Sequence, residues 1–318
     1  MSIAADAPAL RYRMMRSSDV PELLALWRAT GWPAITAGQW HARVRRGPYG
    51  DSIVVVAEDD LGVAGQIVLG RSRMRIDERV VDAVRPSAAV LRPDRRGAVT
   101  RTRDNPVRAL WVTGHRAAAA AGAHVSYAMV NPALRSFAAR LAEDATGFAL
   151  VDHESVTLPV STAPRGALRG RRTGPPGDEF DELWSAATAQ LPVDCGVVRS
   201  AAWLRSRRGG NVLVAARDRA GALRGYGLVR RSDGLLVDVL AEDADLLPDV
   251  VRATMHWVAR HLELTELRAL ASPRFRDAFA GLDARPHDYV FTLMCHPLAE
   301  REDSVSLHAD RWYVTGGD

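Results

Sequence analysis

Three arginines spaced around a proline and followed by small residues are the part of this chain best suited to chemistry. Residues 88–99 read Ala-Ala-Val-Leu-Arg-Pro-Asp-Arg-Arg-Gly-Ala-Val. A short apolar strand containing Val90 and Leu91 ends at Arg92 and Pro93, and a turn with Arg95 and Arg96 runs through Gly97, Ala98 and Val99 toward a helix. A helix start presents unpaired backbone N–H groups and the positive end of the dipole. Small residues let an anion approach that backbone, and arginines add charge-assisted hydrogen bonds. The chemistry expected is recognition of a phosphate or pyrophosphate on a phosphorylated carrier.

The elements that must hold this turn occur in two related copies. Trp40-His-Ala-Arg-Val-Arg-Arg-Gly47, an apolar run and Gly62-Val-Ala-Gly65 correspond to Trp203-Leu-Arg-Ser-Arg-Arg-Gly209, an apolar run and Gly221-Ala-Leu-Arg-Gly225. Further on, Pro132-Ala-Leu-Arg135 matches Pro273-Arg-Phe-Arg276, and Phe148-Ala-Leu-Val-Asp-His153 matches Phe291-Thr-Leu-Met-Cys-His296. The interval from Gly65 to Pro132 is 67 residues and that from Gly225 to Pro273 is 48, so the first copy holds 19 more, in the stretch that includes the arginine turn. The corresponding turn of the second copy, Glu242-Asp-Ala-Asp245, is acidic and would repel pyrophosphate. Two copies with one anion site is the expectation.

Each copy has the same order of signals: helices, an antiparallel meander, a helix, a strand, a helix and a strand pair. In the first copy, Ser18-Asp19 before Pro21 marks a helix start, and 53–57 with 65–69 reads as a hairpin turning through the acidic residues 58–60, expected to be solvated. Strands are expected over 73–76, 80–84 and 88–91, a helix over 110–121 and a strand over 124–130. In the second copy, Val251, Met255, Val258 and Leu262 recur at helical spacing and bury one face. The pattern predicts an α+β chain of two domains, each a mixed, mostly antiparallel sheet flanked by helices. The expected division is 1–160, a Pro/Gly/Arg-rich linker over 161–177, and 178–318.

Composition narrows the chemistry. A chain of 318 residues suits two such domains. All 42 basic residues are arginine, so neither a Schiff-base lysine nor the lysine of a phosphate-binding P-loop is available. Cys195 and Cys295 make neither a disulfide framework nor a metal spacing. His256 and His261 are five apart and share no helical face, so no metal is expected. The net charge of +4 spreads over interspersed acids and bases, and the densest arginine cluster falls in the linker, so nucleic acid is not an expected partner. With no apolar run near 18 residues and no leader-like start, the reading is a soluble cytoplasmic protein without a membrane partner.

The strand, proline and Arg95-Arg96-Gly97 resemble the pyrophosphate loop of the GNAT family of acyl-CoA-dependent N-acyltransferases. Tyr127-Ala-Met-Val-Asn131-Pro132 is similar to the end of that family's next strand with the Asn that often follows, and the order of elements in both copies is the GNAT order. The resemblance covers nearly the whole chain as a tandem pair. It implies acyl-CoA or acetyl-CoA as co-substrate, held by Val90, Leu91, Arg92, Arg95, Arg96, Gly97, Ala98, Val99 and Asn131. It also implies a small-molecule amine that attacks the thioester directly, without a covalent enzyme intermediate. His124 and Tyr127 lie on the strand that would border the thioester, and Asp194 falls where the acceptor would be bordered; these three are the candidate catalytic residues. Two positions depart from the family pattern: Val99 and Arg101 stand where glycine or alanine is expected, and Phe137 stands where a tyrosine general acid often lies. The alternative reading is a catalytically silent ligand-binding protein of the same fold.

Overall fold

Leucines at helical spacing pack the first helix against the sheet. In the computed structural model, which describes residues 9–96, 105–130, 132–143, 149–160, 166–190, 195–272, 278–279, 281–298 and 312–316, strand β1 (Arg11–Met14) turns into helix α1 (Val20–Ala29). Asp19 fixes the corner, accepting from the Arg13 guanidinium at 2.7 and 3.0 Å and from the Arg16 N–H at 2.7 Å. Helix α2 (Ala37–Trp40) is capped by Thr36, whose hydroxyl accepts from the Gln39 N–H. A short hairpin of β2 (Arg46–Gly47) and β3 (Gly50–Asp51) leads to the meander β4 (Ile53–Asp59), β5 (Gly62–Ile76) and β6 (Arg79–Leu91). The one-turn helix α3 (Pro93–Arg96), helix α4 (Pro106–Ala120) and strand β7 (Val125–Val130) follow.

Contacts divide the chain into two units: Met1–Arg73, Val81–Ala128 and His296–Glu302 form one, and Met74–Val80, Met129–Cys295 and Asp303–Asp318 the other. In unit 1 the strand order is β1-β4-β5-β6-β7, antiparallel from β1 to β5, with β7 parallel to β6. One face is covered by α1 and α2, where Leu23, Leu26 and Trp40 pack with Val54, Val56 and Val68. The other is covered by α4, which approaches so closely at Gly114 that a Cβ there would lie 2.7 Å from Leu69 Cδ1. Alternation along β5 therefore puts Ile67 and Leu69 under α4, and Gln66, Val68 and Ser72 under α1 and α2.

Unit 2 continues through helix α5 (Pro132–Glu143), strands β8 (Ala149–Pro159) and β9 (Arg169–Arg172), helix α6 (Asp178–Gln190), strand β10 (Cys195–Val197) and helix α7 (Ala201–Ser206). Strands β11 (Asn211–Arg217), β12 (Leu223–Arg230) and β13 (Leu236–Ala241), helix α8 (Leu247–His261), and strands β14 (Glu266–Ala271), β15 (Arg285–Pro297) and β16 (Trp312–Tyr313) complete it. One antiparallel sheet runs β13-β12-β11-β9. Helix α8 lies on it over Gly225 and Gly227, where a Cβ would collide with Val250 and Thr254. Strand β8 pairs antiparallel with both β14 and β15.

The mixed α+β character is as expected, but the divisions differ. The described residues of 129–160 pack with unit 2, although they belong to the first copy in sequence. Within the expected linker, Arg169–Arg172 is an edge strand whose residues pair with β11 from Val214 to Arg217. The alternation of arginine and glycine there reads as solvated chain, yet Gly170 is needed because a Cβ would strike the Ala253 carbonyl. Strands expected as separate pieces over 65–69 and 73–76 are one, as are 80–84 and 88–91.

A buried charge organises the core of unit 2. Arg199 and Asp238 are both fully buried, joined Nε to Oδ1 at 2.9 Å. The remaining donors of Arg199 reach the Val197 carbonyl and the Thr315 hydroxyl, and the Thr315 and Tyr226 hydroxyls donate to Asp238. The guanidinium also lies 4.5 Å from the Tyr313 ring centroid and 5.5 Å from that of Trp203. Removing the carboxylate leaves an uncompensated buried cation. Asp238→Ala is expected to lower stability by about 3–5 kcal/mol in urea unfolding; an unchanged midpoint would mean that the rings alone balance the charge.

Candidate functional site

Strands β6 and β7 pair over only two positions, Ala83 with Val125 and Val84 with Ser126. The His124 N–H, which donates to the Asp82 carbonyl at 2.8 Å, extends that pairing by one step in the other direction. Beyond Ser126 no further pairing joins the two strands among the described residues, so 85–91 and 127–128 form the arms of a fork. Ala88 on the β6 arm has φ 49°, a left-handed conformation that strains a residue carrying a Cβ. Ala88 and Val90 pack toward the core beneath α1 and α2, whereas Leu91 lies against Gly65 beneath α4. Alternate residues of this arm thus face the two covering layers.

The arginine turn sits at the tip of the β6 arm. Asp59, read from sequence as part of a solvated hairpin, is buried and takes both Arg92 and Arg95. Arg92 Nη2 lies at 2.7 Å and Arg95 Nε at 2.9 Å from Asp59 Oδ2, while Arg92 Nε binds Asp94 at 2.8 Å. Burial alone would push the Asp59 carboxyl up, but the hydrogen bonds from Arg92 and Arg95 outweigh it and hold the group below its ordinary value. Arg96 is exposed, and its Nε donates to the Leu91 carbonyl at 3.1 Å. Helix α4 begins at Pro106, where Asn105 Oδ1 already accepts from the N–H groups of Val107 and Arg108. At the start of α4 a side-chain cap thus fills donors that an anion would otherwise take. Gly97, Ala98, Val99, Asn131 and Asp194 lie outside the described residues.

Tyr127 is the first β7 residue past the last pair, so it stands in the crotch of the fork. It is buried, and its hydroxyl is 2.9 Å from Ser72 Oγ, on the face covered by α1 and α2. Among the described residues, that face also buries both amide atoms of Gln66 and the indole N–H of Trp40 without hydrogen-bond partners. His124 is on the opposite, closed side of the pairing, and its carbonyl accepts from the Leu298 N–H. The structure thus separates two candidates that share a strand in sequence. On the α4 face, buried His115 donates from Nδ1 to the Trp111 carbonyl at 2.8 Å and accepts at Nε2 from the Ser126 hydroxyl at 2.7 Å. Burial lowers its pKa to about 4, and His296 lies close by.

No family model matches the sequence, and no curated protein matches it. Solved structures do. A GCN5-related N-acetyltransferase from Anabaena variabilis ATCC 29413 aligns with TM-score 0.66 at 13% identity, over 92% of this chain and 73% of that one. A probable N-acyltransferase from Enterococcus faecalis V583 gives TM-score 0.66 at 12% identity, over 91% and 73%. A tandem GNAT protein from the clavulanic acid biosynthesis pathway gives TM-score 0.54 at 14% identity, over 92% of this chain and 99% of that one. This chain has the GNAT fold.

A second pair of parallel strands, in unit 2, also meets only briefly. Strands β13 and β14 share a single parallel bridge, Leu235 with Arg268. The segment Trp312–Gly316 runs against β13: the Tyr313 hydroxyl donates to the Val239 carbonyl, Thr315 binds Asp238, and Gly316 packs on Leu235 and Leu236. The chain itself thus satisfies main-chain and side-chain groups beside the second fork. The acidic turn after β13 is likewise used internally, Glu242 pairing with Arg224 and Asp243 accepting from the Leu246 N–H ahead of α8. Among the described residues, no group of three or more His, Cys, Asp or Glu could hold a metal, and no helix is long and apolar enough to cross a membrane.

Sequence reading missed Asp59, Ser72, His115 and Ser126. The one available signal was the four-residue spacing of Trp111 and His115 on an otherwise apolar helix face. His115 is neutral in the fold, with its pKa well below the ordinary 6.5. The unfolded chain therefore binds the extra proton first, so this stability is complete above about pH 6.5 and declines as pH falls toward 4. Urea unfolding at pH 7.5 and pH 5 is expected to show a loss that His115→Gln reduces; identical pH dependence in the variant would count against it. Asp59→Ala is expected to destabilise by about 3 kcal/mol at pH 7, since it strands Arg95 in the interior, as measured by the same method.

Proposed function

We propose that this protein is an N-acyltransferase that binds acyl-CoA in the β6/β7 fork and transfers the acyl group to an amine of a small molecule in the cytoplasm. The fork carries the reading: two parallel strands that stop pairing leave main-chain groups able to bond the amides of an extended donor, and they set the thioester near Tyr127. The pyrophosphate would be held by Arg96 with Gly97, Ala98 and Val99. Arg92 and Arg95, committed to Asp59, would brace that loop. The amine nitrogen attacks the thioester carbonyl, the C–S bond breaks, and the amine loses a proton as the sulfur gains one. Tyr127 supplies the proton to sulfur and recovers one through Ser72. Gln66 and Trp40 offer unused hydrogen-bonding groups on the same face. The neighbour from the clavulanic acid biosynthesis pathway supports a small-molecule acceptor in secondary metabolism, and the occupied second fork supports a single donor site.

The capped α4 and the internally paired arginines favour a second reading, a GNAT-like protein that binds a ligand without transfer. Calorimetry with acetyl-CoA and longer acyl-CoAs, with thiol release followed over a panel of amines, separates the two. Transfer is expected, with Arg96→Ala weakening donor binding about tenfold. Tyr127→Phe is expected to lower kcat by about a hundredfold at unchanged donor KM. Donor binding with no thiol release for any amine would favour the silent reading, and no binding of any acyl-CoA would remove both.

A further inference from the structure

Unit 2 contains a second polar cleft, remote in sequence from the arginine turn. Ser155, Arg230, Asp233, Leu235, Arg268 and His287 line it, with the rings of Tyr289 and Phe291 forming a wall, and its volume is about 280 Å³. That volume suits a small ligand rather than a carrier the size of CoA.

The charges in the cleft do not balance. Arg230 clasps Asp233 at 2.8 and 3.0 Å, and Arg268 Nη2 reaches the same carboxylate at 2.7 Å. Two cations share one anion. Among the described residues, Nε and Nη1 of Arg268 have no hydrogen-bond partner. His287 adds a further donor: its Nδ1 accepts the Tyr289 N–H at 3.2 Å, which leaves Nε2 as the ring's donor. Ser155 donates its hydroxyl proton to the Tyr289 carbonyl and so keeps the β15 bulge in place.

The backbone presenting these groups is fixed. The Arg230 N–H donates to the Leu235 carbonyl at 2.8 Å, and the Arg268 N–H to the Gly234 carbonyl at 2.9 Å. Gly234 has φ 70°, and a Cβ on it would lie 2.7 Å from the Glu266 carbonyl, so this turn requires glycine. Donors in excess, one uncompensated positive charge and an aromatic wall call for an anion with a flat apolar body.

We propose that this cleft is a binding site for a small aromatic or similarly planar monocarboxylate, whose carboxylate would sit on Arg268 and His287 and whose ring would lie against Tyr289 and Phe291. The inference does not rest on the acyl-CoA reading, and its test uses no acyl-CoA.

Protein-observed NMR on the full chain, titrated with phenylacetate, phenylacetamide and inorganic phosphate, decides it through the Gly234 and Gly316 amide signals. Phenylacetate is expected to give saturable shifts, with the amide and the phosphate each about tenfold weaker or more. Arg268→Gln is expected to weaken phenylacetate about tenfold, whereas Arg96→Ala leaves it unchanged. Equal affinity for phenylacetamide or phosphate, or no saturable shift with the unmodified protein, overturns the proposal. The comparison of probes uses the unmodified protein and so stands even if the Arg268 variant folds poorly.

Discussion

Each backbone amide within a sheet needs a partner, and β6 and β7 give one another partners over two residues before they part. Everything else in unit 1 is arranged around that parting. Helix α4 covers one face, with Gly114 allowing the close approach, and α1 with α2 covers the other. Ala88, on the β6 arm, holds a left-handed backbone conformation at that parting. In unit 2 the same constraint meets a different solution: Tyr313 and Thr315 bond Val239 and Asp238 from within the chain.

Electrostatics near the first fork reverse the simplest view of arginine as an anion binder. A carboxylate with no exposed side-chain surface gathers two guanidinium groups, and with Asp94 beside Arg92 it offsets their positive charge in place. Such a pair contributes geometry more than net stability, because the desolvation of both partners opposes their attraction. What Asp59 does is hold the α3 turn at a fixed position relative to β4 and β6.

The repeat, the α+β class and the order of elements were legible in sequence because they rest on periodicity and turn chemistry, which are local. Where the fork opens was not, since strand pairing is a property of two segments and neither Val84 nor Ser126 marks its end. Asp59 was misread for a related reason: an acidic hairpin such as 58–60 looks solvated until the arginines that cover one member are brought to it from more than thirty residues away. His124 and Tyr127 show the limit most plainly. Three positions apart on one strand, they fall on opposite sides of the last hydrogen-bonded pairs.

The contact between Tyr313 and Val239 spans 74 residues, and that between Thr315 and Asp238 spans 77. During synthesis, the Asp238 carboxylate and its buried arginine emerge long before the groups that finish enclosing them. Unit 2 must wait with a charged, half-built interior until residue 315 arrives, a long-range closure of the kind that slows folding and leaves intermediates open to aggregation. For this chain, enclosure of the buried charge therefore depends on the late segment 312–316.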